Sequence, residues 1–294
     1  MAPAVADQYR LVIGKLIEFC LRRSVPVHYM SQLTVDILDS FATKTYKNKA
    51  STTQAVGMAK VKALLNDAFR RGWIKEPLAK RIKKYSGQYQ QAQPFTEEKV
   101  LLVLTGCNAM QRGNNGIGYG HKPETFRLLL ELQLETGMRC GDATQYDPKY
   151  GFLFRAESGL WVYRFLPQKR LRKAKTAKLH DVYLTDRLKE AIDTCDWMSK
   201  ERPFAWGSFK RSSYLANEVY YRMQAIGDRV GVEDCRPHRL RDTFAVRMLA
   251  KGLSLDDLKV LLGHSSVKIT EQYYAAWTPA RGTLLESKVT KALL

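Results

Sequence analysis

The sequence predicts a two-domain, mainly α-helical chain whose second domain carries one small antiparallel β-sheet. Three observations carry that expectation. Apolar residues recur at helical spacing through the first 73 positions, a polar aperiodic stretch then runs from Ser86 to Gln93, and three short β-type segments between 151 and 184 are enclosed by helical patterns on both sides. At 294 residues there is room for two domains, each able to bury its own core. The expected bounds are a helical domain over 1–85, a linker over 86–94 and a second domain over 95–294.

The first helix is expected from about Asp7 to Arg23, with Leu11, Leu16 and Phe19 on its apolar face. A second runs from about Ser31, a suitable N-cap, to Lys44. A third spans about Thr52 to Trp73, its apolar face built from Val56, Ala63, Leu64 and Ala68 and its end set by Gly72. The second domain opens on Thr96-Glu97-Glu98, an N-cap followed by carboxylates that complement the helix dipole. A helix from Pro123 to Thr136 ends at Gly137, a C-cap. Strands are expected over 151–155, 160–166 and 179–184, the middle one alternating through Trp161, Tyr163 and Phe165. Helices resume from Thr185 to the end.

Lys and Arg total 48 against 29 Asp and Glu, a net charge of +19. The excess is spread over both parts, with 16 basic against 6 acidic residues in 1–93 and 32 against 23 in 94–294, so a basic tail on a neutral body is excluded. Such a chain suits a polyanionic partner, because cationic side chains displace counterions condensed on phosphates. No apolar run approaches the ~18 residues of a membrane span. Residues 1–10 lack a secretory pattern, and no further domain is expected ahead of the first helices. Cys20, Cys107, Cys140, Cys195 and Cys235 lie far apart without a C-x-x-C pair, which points to free thiols inside a cell, with no disulfide frame, no metal site and no cofactor.

Three clusters can carry chemistry. In Thr136-Gly137-Met138-Arg139-Cys140-Gly141-Asp142, a glycine cap presents an Arg at a helix junction, with Asp142 three residues on to brace it. In Pro237-His238-Arg239-Leu240-Arg241-Asp242, Pro237 suits a first helical turn and places His238 and Arg241 on one face. In Leu261-Leu262-Gly263-His264-Ser265-Ser266, Gly263 takes a left-handed cap and a serine caps the next helix, with Tyr273-Tyr274 following. Taken singly, these are equally a surface turn, a solvated basic helix end and a capped corner. Together they supply Arg, His and Tyr side chains without a metal-ligand pattern. That inventory suits phosphoryl transfer on a nucleic-acid backbone, where Arg and His stabilise charge on the nonbridging oxygens and Tyr acts as nucleophile.

The ordered set resembles the tyrosine recombinase (phage integrase) family, over essentially the whole chain. The resemblance rests on Arg139 after Thr-Gly-Met, Asp142 three later, a Lys-bearing strand-turn-strand, His238 and Arg241 in a His-x-x-Arg box, His264 in Leu-Gly-His, and Tyr273 nine residues on. It implies a two-domain DNA clamp, a helical core-binding domain closing on duplex DNA with a breaking-rejoining catalytic domain. Tyr273 would attack the scissile phosphate, Arg139, Arg241 and His264 stabilise its charge, His238 assist proton transfer, and Asp142 support the site. The Lys that protonates the leaving 5′-oxygen would be Lys175, in Lys175-Thr176-Ala177-Lys178, with Lys173 and Lys178 next. Adjacent helical residues point ~100° apart, so one of Tyr273 and Tyr274 acts and the other packs; the family spacing selects Tyr273.

Arg70, Arg71, Lys80, Arg81, Lys83 and Lys84 of the first domain, with Lys169, Arg170, Arg172 and Lys173, are the expected phosphate contacts. Leu285, Val289, Ala292 and Leu293 form an apolar stripe on a terminal helix, which in the family docks on a neighbouring protomer of a synaptic homo-tetramer. The implied partner is a pair of double-stranded DNA recombination sites, met in the cytoplasm near the nucleoid, or inside a host cell for a viral gene. A type IB topoisomerase-like relaxing enzyme and a silent DNA-binding accessory protein are the alternatives.

Overall fold

The computed structural model describes residues 3–88, 91–109, 123–147, 151–168, 178–195, 204, 212–277, 286, 289–291 and 293. The described chain is mainly α-helical with one three-stranded antiparallel sheet, and it divides into two compact units, Met1–Gln90 and Gln91–Leu294.

The first unit holds α1 (Pro3–Leu21), α2 (Val35–Thr45), α3 (Ser51–Arg70) and the short α4 (Leu78–Arg81). Its core joins Val12, Leu16 and Cys20 of α1 to Leu38, Phe41 and Ala42 of α2, and to Met58, Val61, Leu65 and Ala68 of α3. Phe19 meets Phe41 edge-on at 5.5 Å between ring centroids. Two expectations are corrected here. Leu16 and Ala68 are buried as expected, but Leu11 and Val56 are exposed, as is Ala63, because the buried stripes run through 12–16–20 and 58–61–65–68. The cap of α2 is Thr34, whose hydroxyl accepts from the Ile37 N–H at 3.3 Å; Ser31 lies in a preceding 3-10 turn, Met30–Gln32.

The second unit holds α5 (Glu97–Gly106), α6 (Pro123–Thr136), α7 (Cys140–Ala143), β1 (Phe152–Arg155), β2 (Trp161–Phe165), β3 (His180–Leu184), α8 (Asp186–Thr194), α9 (Ser212–Val230), α10 (Pro237–Ala250), α11 (Leu255–Leu262) and α12 (Val267–Tyr274). Thr96 caps α5 by accepting from Lys99 N–H at 3.3 Å. The sheet order is β1-β2-β3, with Leu153 opposite Tyr163 and Tyr163 opposite Val182. Period-2 alternation turns Trp161, Tyr163, Phe165, Val182 and Leu184 to the core. There they meet α6, which is buried through Phe126, Leu129, Leu130 and Leu132 and packs against α10. A separate apolar cluster of Phe244, Ala245, Leu249, Leu258, Leu262 and Tyr274 joins α10, α11 and α12.

The segment expected as a linker is bonded to both sides of the division. Gln88 N–H donates to Ser51 Oγ at 2.9 Å within the first unit. Residues 91–95 belong to the second: Ala92 is buried, its N–H donates to the Tyr273 carbonyl at 2.9 Å, and Phe95 N–H donates to Thr243 Oγ1 at 2.8 Å. The buried Arg239 ties the same segment down through Gln93 O (2.8 Å) and Pro94 O (3.2 Å), its guanidinium 4.2 Å from the Phe95 ring centroid. No helix among the described residues is long and apolar enough to cross a membrane.

Candidate active site

Helix α6 stops at Gly137, which takes φ +64. Only glycine adopts that conformation without strain. A Cβ there would also lie 2.3 Å from Phe244 Cδ1. We expect Gly137→Ala to cost about 2–4 kcal/mol in urea unfolding, combining left-handed strain with overpacking against Phe244. A loss below about 1 kcal/mol would mean that the corner relaxes freely. The turn delivers Arg139 to the head of α7, its Nη1 4.0 Å from Asp142 Oδ2. Asp142 is buried, and its other oxygen accepts from Gln168 N–H at 2.8 Å, so it braces both the Arg139 turn and the end of the β2 segment.

Helix α10 begins with Pro237 in its first turn and carries His238 and Arg241 three apart. Arg241 is buried and joins three segments: Nη1 donates to Gly137 O at 2.5 Å, Nη2 to Leu262 O at 2.5 Å, and Nη2 lies 3.2 Å from His264 Nε2. The other ring nitrogen of His264, Nδ1, lies 3.0 Å from the hydroxyl of Thr270. Burial, then the positive charge of Arg139, lowers the Arg241 pKa to about 10, which still leaves it charged at neutral pH. Gly263 holds the corner before His264 at φ +61.

A cleft of about 320 Å³ opens between these elements, lined by Gln133, Arg139, Tyr220, Arg236, His238 and Arg241 among others. His238 is exposed and lines this cleft. Loss of water is the largest influence on it, aided by Arg241, Arg236 and Arg139 and opposed by Asp242, and the pKa lies below the ordinary imidazole value. The unfolded chain therefore holds this proton more tightly than the folded one. The associated stability is present above pH ~6.5 and is lost as pH falls toward the folded value. We expect the urea midpoint of wild type to drop more between pH 7.5 and 5.5 than that of His238→Gln; parallel pH curves would contradict this.

The two tyrosines differ sharply. Tyr274 is buried and its hydroxyl donates to Asp242 Oδ1 at 2.8 Å; burial and that carboxylate push its pKa up. Tyr273 is half-buried, its ring 6.4 Å from that of Tyr274, and it stands outside the lining of the cleft on the helix that follows His264. Burial likewise raises the thiols of Cys20, Cys107, Cys140 and Cys235, the second and third to about 12 and the last to about 11, so none is a thiolate nucleophile at neutral pH.

The structure thus brings Arg139, Asp142, His238, Arg241 and His264 together, with Tyr273 on the adjoining helix. Lys175, Lys173, Lys169, Arg170 and Arg172 lie outside the described residues, as do Leu285 and Ala292; Lys178 is exposed. In the first unit, Arg70 and Arg71 both pair with Asp67 (2.9 and 2.7 Å) and Arg81 pairs with Glu76, while Lys80, Lys83 and Lys84 are exposed. Asp67 lies three and four residues before its partners, a helical pairing visible in the sequence. Gln133, Tyr220 and Arg236 of the cleft, and Thr270 behind His264, carry no such local signal in the sequence. Among the described residues no group of three or more His, Cys, Asp or Glu side chains is disposed to hold a metal.

Fold and site together define a helical protein with a small sheet and a cationic, histidine-bearing cleft suited to an anionic group. Residues 108–281 match the phage integrase family, and the chain belongs to that family, the tyrosine site-specific recombinases. It is 24% identical over 279 residues to tyrosine recombinase XerC of Pseudomonas syringae pv. syringae, covering 93% of this chain and 85% of that one. It is 42% identical over 150 residues to XerA of Saccharolobus solfataricus and 32% over 175 residues to XerD of Brucella abortus, matching 44% and 53% of those relatives, about half their length. The fold is similar to that of XerH recombinase bound to a palindromic difH substrate (TM-score 0.66, 15% identity, 97% of this chain and 79% of that one). It is also similar to that of a lambda integrase tetramer bound to a Holliday junction (TM-score 0.63, 15% identity, 90% and 73%).

Proposed function

We propose that this chain breaks and rejoins duplex DNA at specific sites through a 3′-phosphotyrosine on Tyr273, using neither metal nor ATP. The observation that carries the reading is the convergence of Arg139, His238 and Arg241 on one cleft, with His264 bonded to Arg241 and the Tyr273 helix next in the chain. The Tyr273 oxygen attacks the scissile phosphorus, its proton passing toward His238, and the 5′-oxygen leaves with a proton from Lys175. Arg139 and Arg241, with His264, stabilise the charge that develops on the nonbridging oxygens. The phosphotyrosyl bond conserves the energy of the broken strand, so attack by a 5′-hydroxyl reseals it. Asp142 supports Arg139.

In this reading residues 1–85 form the core-binding half of a clamp on DNA, and the second unit is the catalytic half. Arg70, Arg71, Lys80, Arg81, Lys83 and Lys84, together with Lys169, Arg170, Arg172 and Lys173, serve as phosphate contacts. Two copies act on each of two sites as a homo-tetramer, joined through the terminal segment, where Val289 and Leu293 are exposed apolar residues in helical conformation. The setting is intracellular, at the DNA.

The test is covalent capture. The protein is incubated with a sheared, nicked library of the genome that carries its gene, adducts are isolated under denaturing conditions, and both the DNA ends and the modified residue are identified. A single preferred sequence joined by its 3′-phosphate to Tyr273 is expected. Absence of any adduct, or attachment through a 5′-phosphate or another residue, overturns the reading.

A further inference from the structure

Helix α12 has two fully buried polar side chains, Thr270 and Tyr274, four residues apart and therefore on one face. Each makes a hydrogen bond toward the Arg241 region. The Thr270 hydroxyl meets His264 Nδ1 at 3.0 Å, and His264 in turn meets Arg241. The Tyr274 hydroxyl donates to Asp242 Oδ1 at 2.8 Å, and Asp242 is the residue after Arg241. The helix is thus held at two points about 6 Å apart along its axis, directly by Asp242 of α10 and, through His264, by the neighbouring Arg241. One such bond would leave the helix able to turn about its own axis. Two on the same face fix both its rotation and its tilt.

Tyr273 is displaced ~100° around the helix from Tyr274, so the direction of the Tyr273 hydroxyl follows the rotation of α12 directly. Packing alone does not account for the Tyr274 hydroxyl. A phenylalanine would fill the same space between Phe244, Leu258 and Leu262, without having to bury a polar group against a carboxylate. What the hydroxyl adds is a directional bond, and Asp242 is itself held, its second oxygen 3.4 Å from Gln93 N–H. An in-line displacement tolerates little misalignment, since an error near 1 Å at a reacting atom costs on the order of 100-fold in rate.

We propose that Tyr274, through its hydrogen bond to Asp242, is a positioning residue that aims Tyr273 at the scissile phosphate. This rests on the reading of Tyr273 as nucleophile and deepens it. Tyr274 touches neither substrate nor the reacting atoms; it acts by setting the rotation of the helix that carries its neighbour.

The experiment uses the full chain and a nicked duplex on which wild type forms its adduct. It compares Tyr274→Phe, Asp242→Ala, Asp242→Asn and the Tyr274→Phe/Asp242→Ala double variant. Single-turnover adduct rate, Kd for the duplex and melting temperature are measured for each. Tyr274→Phe should slow adduct formation about 10–100-fold while Kd stays within about twofold, a split that a general loss of stability does not produce. Asp242→Ala should be similarly slow. Asp242→Asn, whose amide oxygen still accepts from Tyr274, should recover most of that loss. The double variant should be no slower than the slower single one, because both substitutions remove the same bond. A Tyr274→Phe rate equal to wild type, with only the melting temperature lowered, overturns the proposal, and so does a double variant whose two losses multiply. If wild type forms no adduct, or Tyr273→Phe still forms one, the nucleophile assignment fails and takes this inference with it. With that assignment intact, an unaltered Tyr274→Phe rate defeats the positioning role alone.

Discussion

Tyr273→Phe should form no covalent adduct with DNA, a loss of at least about four orders of magnitude, while binding the same duplex with unchanged affinity. Removing the nucleophile from a covalent mechanism eliminates the pathway itself and leaves only the contribution of binding and charge stabilisation. The substitution is mild elsewhere. The Tyr273 ring lies half-buried against the cluster that includes Phe244 and Leu258, and phenylalanine retains that packing. Unfolding free energy should therefore move by no more than about 1 kcal/mol. Denaturing electrophoresis after incubation with a nicked duplex gives the readout, with band-shift and urea unfolding as controls. An adduct that survives in Tyr273→Phe makes the assignment wrong. The neighbouring Tyr274 is a poor substitute, since its ionised form would be a buried phenolate facing the Asp242 carboxylate.

Arg241→Lys should lower the adduct rate about 100–1000-fold although it is nominally charge-conserving. The guanidinium spans Gly137 O, Leu262 O and His264 Nε2 at once, from the end of α6, the end of α11 and the corner between α11 and α12. An ammonium concentrates its donors at one point and cannot reach all three. It would also give up its charge more readily: burial beside Arg139 already brings the arginine down to about 10, and a lysine starts lower. At least one buried carbonyl loses its donor, which should cost about 1–3 kcal/mol in urea unfolding. A lysine variant within tenfold of wild type would show that net positive charge suffices and that the fork geometry is incidental.

The candidate site was legible where chemistry is local in sequence. His238 and Arg241 are three apart on one helix, and Gly137 and Gly263 announce the corners that present Arg139 and His264. What could not be read was set by contacts between distant residues. Nothing in the sequence says that Asp242 meets Tyr274 thirty-two positions later, or that Thr270 rather than water satisfies His264. Arg239 looked like one more basic residue of the His-x-x-Arg box and is instead buried beneath residues 93–95. The first unit misled for a different reason. Its helices carry apolar residues on more than one face, Leu11 and Val56 standing exposed, so periodicity located the helices but not which stripe faces inward. Strand β2 was clearer, because alternation leaves only two faces to choose between.

The hydrogen bond from Ala92 N–H to the Tyr273 carbonyl has a practical consequence for dissecting the molecule. By pattern alone the second domain starts at Phe95, after the polar stretch. A fragment begun there would discard Ala92 from its apolar cluster, strip Arg239 of its Gln93 and Pro94 acceptors, and release the backbone carbonyl of Tyr273. A fragment begun at Gln91 keeps all of them. The boundary that suits a truncation is therefore set by four residues that look like spacer and serve as the last strut of the helix that carries Tyr273.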